Sequence, residues 1–188
     1  MHKSYVDKII ALRGLLKIHS LAVMTKQDLF TSYKMVVPKL QIKNVLNSKI
    51  WVQLAINASA GILCRDFDKA KLKKTIPDFA KMAKENSETT YIKLGKKLAE
   101  CGIALVILPY LPNSGINGAV KWINGKYVLA LNDRRKNANY FWFTFFHEIY
   151  HVLEEKKKDT LLLRDETCTK STERDADSFA EQCIKWGD

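Results

Sequence analysis

Phe143-Thr144-Phe145-Phe146-His147-Glu148-Ile149-Tyr150-His151-Val152-Leu153 is the stretch on which the reading of this chain turns. His147 and His151 are four residues apart, so on a helix they leave one face about one turn from each other. The surrounding Phe143, Phe145, Phe146, Ile149, Val152 and Leu153 predict that this helix is buried, which would hold both imidazoles rigidly in a low-dielectric site. Two neutral imidazoles so placed suit one tetrahedral Zn²⁺. Glu148 directly follows the first histidine. In an HExxH helix that carboxylate lies beside the water rather than on the metal, where it acts as general base.

A zinc site of this kind needs a third protein ligand and leaves one position open. His2 and His19 lie far back in the chain, so the ligand is sought among the carboxylates of Glu173-Arg174-Asp175-Ala176-Asp177-Ser178-Phe179-Ala180. On a helix Glu173, Ala176, Asp177 and Ala180 share a face. The two alanines would allow close approach to the histidine helix. Glu173 is the expected ligand, and Asp177, one turn on, the expected hydrogen-bond partner of a ligating histidine. Asp175 points elsewhere and is the reserve candidate. An acidic cluster that merely complements a helix dipole is the bland alternative.

Working outward, the histidine helix is expected from about Ala138 to Glu155, and the last helix over about 171–185 with Ser171 or Thr172 as N-cap. Upstream, Ile103 to Leu108 is a short apolar run, expected as a strand buried on both faces. Ala119 to Ile123, Asn124-Gly125 and Tyr127 to Leu131 read as a hairpin closed by a type I′ turn. The strand near Tyr127 to Leu131 is expected to be free to pair with an extended peptide by strand addition. Trp122 and Tyr127 are expected as packed aromatics, with a cleft-lining role as the alternative. Arg134 and Arg135 suit either a substrate role, binding a carboxylate or stabilising an oxyanion, or the protein surface, and Tyr150 is more simply explained by packing than as a donor to a tetrahedral intermediate.

The first half reads as helices. Residues 4–18 place Val6, Ile9, Ile10, Leu12, Leu15 and Leu16 near a 3.6-residue period. A short helix is expected over 25–36, stopped before Pro38, and a long apolar-rich one over 41–63. Thr75-Ile76-Pro77-Asp78 looks like a helix start with proline in its first turn, and residues 87–101 close at Gly102. The fold class is therefore α+β: helices, a small sheet, then two helices.

The chain has 188 residues and a net charge of +11. Residues 1–100 hold 19 Lys/Arg and 8 Asp/Glu (+11), and residues 101–188 hold 12 of each (0), so the whole excess lies in the first half. That asymmetry suggests a polyanion partner or a lysine-rich solvated surface. Cys64, Cys101, Cys168 and Cys183 show no CxxC pairing and read as reduced, buried thiols. No apolar run of transmembrane length and no export signal is visible, so a cytoplasmic protein with no membrane partner is expected.

Several segments together resemble the ImmA/IrrE family of metallopeptidase domains. They are Cys101 to Val106, Leu111-Pro112, Gly118 to Trp122, Leu131 to Arg135, Tyr140 to Glu148 and Glu173 to Ala180, covering roughly residues 85–185. The resemblance implies a zincin-like domain over 85–188, preceded by a helical, basic linker or docking region over 1–84. Three departures stand out. Tyr150 occupies a position where glycine is common in the family, Asp175 stands where glutamate is usual, and Cys183 to Trp186 replaces a Leu-Leu-x-Pro ending. Many members carry an Xre-type helix-turn-helix and act as regulators or HigA-like antitoxins, but no helix-turn-helix is recognisable here. The implied activity is a gluzincin-like Zn²⁺ endopeptidase of narrow specificity cutting a regulatory protein, with His147, His151 and Glu173 on the metal and Glu148 as base. The alternative is a non-catalytic regulatory or antitoxin-type module that binds a protein partner. In either case DNA is expected to be held only weakly, or through a helix-turn-helix that this sequence does not show.

Overall fold

The structure, a computed structural model, describes residues 4–22, 42–85, 88–132, 137–154 and 170–186. Among them are six helices and three strands: α1 (Tyr5–Leu16), α2 (Ile42–Ser59), α3 (Lys69–Lys84), α4 (Glu88–Glu100), β1 (Ile103–Leu108), β2 (Gly118–Ile123), β3 (Lys126–Asn132), α5 (Ala138–Glu154) and α6 (Lys170–Lys185). The expected α+β class holds at this level. No helix among the described residues is long and apolar enough to cross a membrane. The helix expected over 25–36, together with Arg134, Arg135 and Cys168, falls outside the described residues.

The sheet runs in the order β1-β3-β2, with β1 parallel and β2 antiparallel to β3. Alternation along each strand sends side chains to opposite faces. Ile103, Val120, Tyr127, Leu129 and Leu131 enter a core shared with α3, α4, α5 and α6. Val106, Ala119, Val128 and Ala130 enter a second core with Trp51, Val52 and Ala55 of α2. The sheet is thus covered by α2 on one face and by α5 with its neighbours on the other. The boundary expected between residues 84 and 85 falls between α3 and α4, whose apolar faces enter the same core.

The hairpin is as its sequence predicts. Asn124 and Gly125 have φ of 49° and 81°, both in the left-handed region that a type I′ turn demands, and Ile123 pairs with Lys126 across it. The strand proposed to receive a peptide is a correction: β3 is the central strand, hydrogen-bonded on both sides, and has no edge to offer. β1 is also less enclosed than expected, for Ile103 and Ala104 are fully buried while Ile107 is 41% exposed.

Pro77 lies inside α3, not in its first turn; the helix begins at the N-cap Asp68, whose carboxylate accepts from the Lys71 amide. An interior proline costs about 3 kcal/mol. Burial of Leu72, Ile76 and Phe79, each on the order of 1.5–3 kcal/mol, outweighs it. In α1, Ser4 and Asp7 form a reciprocal capping box. Yet only Leu16 of its apolar set is buried, and Val6, Ile10 and Leu15 face solvent. α1 is apolar around much of its circumference and packs only one narrow side on α2. Ser171 and Thr172 sit within α6, which starts at Lys170, so neither is the N-cap.

Candidate metal centre

α5 begins where Asn137 turns its side-chain oxygen to the amides of Asn139 and Tyr140, at 2.9 and 3.3 Å. Its Trp142, Phe145, Phe146, Ile149 and Val152 are buried in the large core. That packing fixes the rotation of the helix and so directs His147 and His151 to one side. α6 lies alongside, with Ala176 and Ala180 fully buried.

Three residues bring donor atoms together between the two helices. His147 Nε2 and His151 Nε2 are 3.1 Å apart; His147 Nε2 is 3.6 Å from Glu173 Oε2, and His151 Nε2 is 3.4 Å from Glu173 Oε1. Ligands at about 2.0–2.1 Å from a tetrahedral ion are separated from one another by about 3.3 Å. The separations, which run to the two different oxygens of Glu173, are close to that spacing, and His147, His151 and Glu173 form a group able to hold a metal ion. Asp175 is exposed and is not among these three residues.

Behind the first ligand, His147 Nδ1 meets Asp177 Oδ1 at 2.8 Å. A carboxylate there favours the tautomer with its proton on Nδ1, leaving the Nε2 lone pair for a metal. His147 is 3% exposed, whereas the His151 and Glu173 side chains retain 16% and 22%, so the centre is closed behind and open in front.

Glu148 is buried, with 4% exposure. A Cβ on Gly118, the first residue of β2, would come within 2.8 Å of both Glu148 Cγ and Glu148 Oε1, and 2.9 Å from Thr144 Cγ2. β2 thus approaches Glu148 so closely that any side chain at Gly118 would force the Glu148 or Thr144 side chain to shift. The loop before it is strapped to α2: Asn47 donates to the Pro112 carbonyl at 2.9 Å, Trp51 to the Pro109 carbonyl at 3.1 Å, and Ser48 to the Ser114 carbonyl. Gly118 and Asn137 were not singled out as functional from sequence. A glycine opening a strand after a Pro/Gly loop, and an asparagine just before an apolar helix, are the signals that could have found them.

The remaining residues divide between core and rim. Tyr127 is buried and Trp122 is 36% exposed; they meet edge-on at 4.7 Å and both pack on Phe67. Tyr150 packs on Phe179 of α6, with centroids 5.6 Å apart, as its packing explanation requires. Burial, and then the carboxylates of Asp175 and Glu154, hold its hydroxyl above the usual range, so it stays protonated. Cys183 is buried and its thiol is pushed up to about 11, which leaves it protonated rather than a thiolate ligand or nucleophile. Cys101 is buried as expected, but Cys64 is only partly so.

Comparison with protein-family models, curated proteins and solved structures found no match to the chain.

Proposed function

We propose that this protein is a zinc-dependent endopeptidase of narrow specificity with a zincin-like domain of the ImmA/IrrE kind, cutting a regulatory protein. The observation that carries this reading is the convergence of His147, His151 and the two Glu173 carboxylate oxygens, with separations of 3.1, 3.4 and 3.6 Å, beside a buried Glu148. Two imidazoles and one carboxylate form the ligand set of a catalytic zinc with an open fourth position. Bound zinc would supply Lewis acidity, making water more acidic and a carbonyl more electrophilic. The chain's own residues do the rest. Asp177 holds the His147 ring and its tautomer. The Glu148 carboxylate takes a proton from the attacking water and returns it to the departing amine. Apolar α5 and the close backbone of Gly118 limit the water around that carboxylate.

Glu148→Gln tests this reading, because it keeps size and most hydrogen-bonding capacity while removing the base. Metal content and circular dichroism should be unchanged, and cleavage of the partner protein should fall by roughly 10²-fold or more. Retained partner binding and regulation, with no cleavage by either form, would instead point to the non-catalytic regulatory module. Loss of zinc from the variant would mean that Glu148 helps to hold the metal.

A further inference from the structure

We propose that the outer face of α3 is a docking surface for the phosphodiester backbone of double-stranded DNA, without sequence selectivity. Every strongly exposed residue of α3 is Lys69, Ala70, Lys73, Lys74, Pro77, Lys81 or Lys84. At 100° per residue, the lysines at 69, 73, 74 and 81 fall within an arc of about 140° and a length of about 18 Å. The opposite face, with Leu72, Ile76 and Phe79, is locked into the core, so the stripe is rigidly presented. The carboxylates beside it are engaged or lie at its ends, although Asp78 also feels Lys81 and the exposed C-cap Glu85 lies 3.9 Å from Lys93. Asp68 caps the helix, Asp78 is held by Lys97 at 2.8 Å, and Glu100 by Lys71 at 3.1 Å.

The chemistry of the stripe selects among anionic partners. It carries neither aromatic nor arginine, so it offers no platform for unstacked bases and no bidentate fork for a single carboxylate. Alanine and proline are its only apolar residues, which gives nothing to anchor in a lipid surface or in the desolvated centre of a protein interface. What remains is a row of compact positive charges on one helix, matched to a duplex that bears one charge per about 1.7 Å of its axis. The chain's entire +11 excess lies in the same half of the sequence. This assignment is independent of the metal centre and stands or falls separately.

The test is fluorescence anisotropy of the full chain on a mixed-sequence DNA duplex of about 24 base pairs, titrated with NaCl. Four phosphate contacts predict a slope of log K against log salt of about −3.6. Replacing Lys69, Lys73, Lys74 and Lys81 together by Gln should reduce the magnitude of that slope by about 3.6 and weaken low-salt binding at least tenfold. Zinc content and circular dichroism should not change. A control with the same charge loss elsewhere (Lys8→Gln, Arg13→Gln, Lys17→Asn, Lys185→Gln) should change affinity less than threefold. The proposal is overturned by equal losses in the two variants, by no binding at low salt, by polyglutamate competing as well as unlabelled duplex, or by tenfold tighter binding to duplex RNA or anionic vesicles.

Discussion

At the scale of single residues, the candidate centre was largely legible because its signals are local. The spacing of His147 and His151 is a property of one helix, and the i, i+4 relation of Glu173 and Asp177 is a property of another. What sequence alone leaves open is which carboxylate meets which imidazole, because that depends on how two helices pack. The structure sets Glu173 against both Nε2 atoms and Asp177 against His147 Nδ1. The role of Asp177 is open to direct trial. Asp177→Ala removes the acceptor that orients His147 without touching a ligand, so zinc affinity measured by chelator competition should weaken by about 10–100-fold while helix content is retained. An unchanged affinity would show that the 2.8 Å contact does not prepare the ligand.

At the scale of elements, periodicity found α5, β1, the hairpin and α4, since each announces itself within a dozen residues. It failed where the answer is set by neighbours. Alternation tells which side of Tyr127 to Leu131 points to a core, but not that β1 returns in parallel to occupy its free edge. Pro77 looked like a helix start because local sterics favour proline there; tertiary burial of α3 reverses that preference. Close packing of α6 on α5 was legible, and it rests on Ala176 and Ala180, both fully buried. Ala180→Leu adds three carbons to a filled space, at a cost of about 1–3 kcal/mol. Since each kcal/mol moves the midpoint of a chain this size by about 2–4 °C, Tm should fall by several degrees. Zinc affinity should fall as well, because α6 carries Glu173. Weaker stability with undiminished zinc affinity would show that the position of Glu173 does not depend on this close approach.

At the scale of the whole molecule, the proposed ion would tie α5 to α6, and these helices enter the same core as α3, α4 and the sheet. A ligand held only by the folded chain stabilises it by about 2.7 kcal/mol at a free concentration one hundred times its Kd. Stripping the metal with a chelator should therefore lower Tm by on the order of 5–10 °C, with recovery on adding Zn²⁺ but not Mg²⁺, which prefers oxygen ligands. A Tm indifferent to chelator and zinc would mean that the two helices hold together without an ion. Charge is also divided at this scale, the basic first half supplying the outer face of α3 and the neutral second half supplying the centre. Residues 23–41 and 155–169, and with them the helix expected at 25–36, lie outside the described residues.

The central claim is that His147, His151 and Glu173 together hold one zinc ion. Elemental analysis of the purified chain tests it most directly, alongside His151→Ala, Glu173→Ala and Asp175→Ala. The predicted result is one zinc per chain in the wild type and in Asp175→Ala, with stoichiometric metal abolished in His151→Ala and occupancy severely reduced in Glu173→Ala. Full occupancy in Glu173→Ala together with loss in Asp175→Ala, or a metal-free wild type after purification with zinc present, would contradict it.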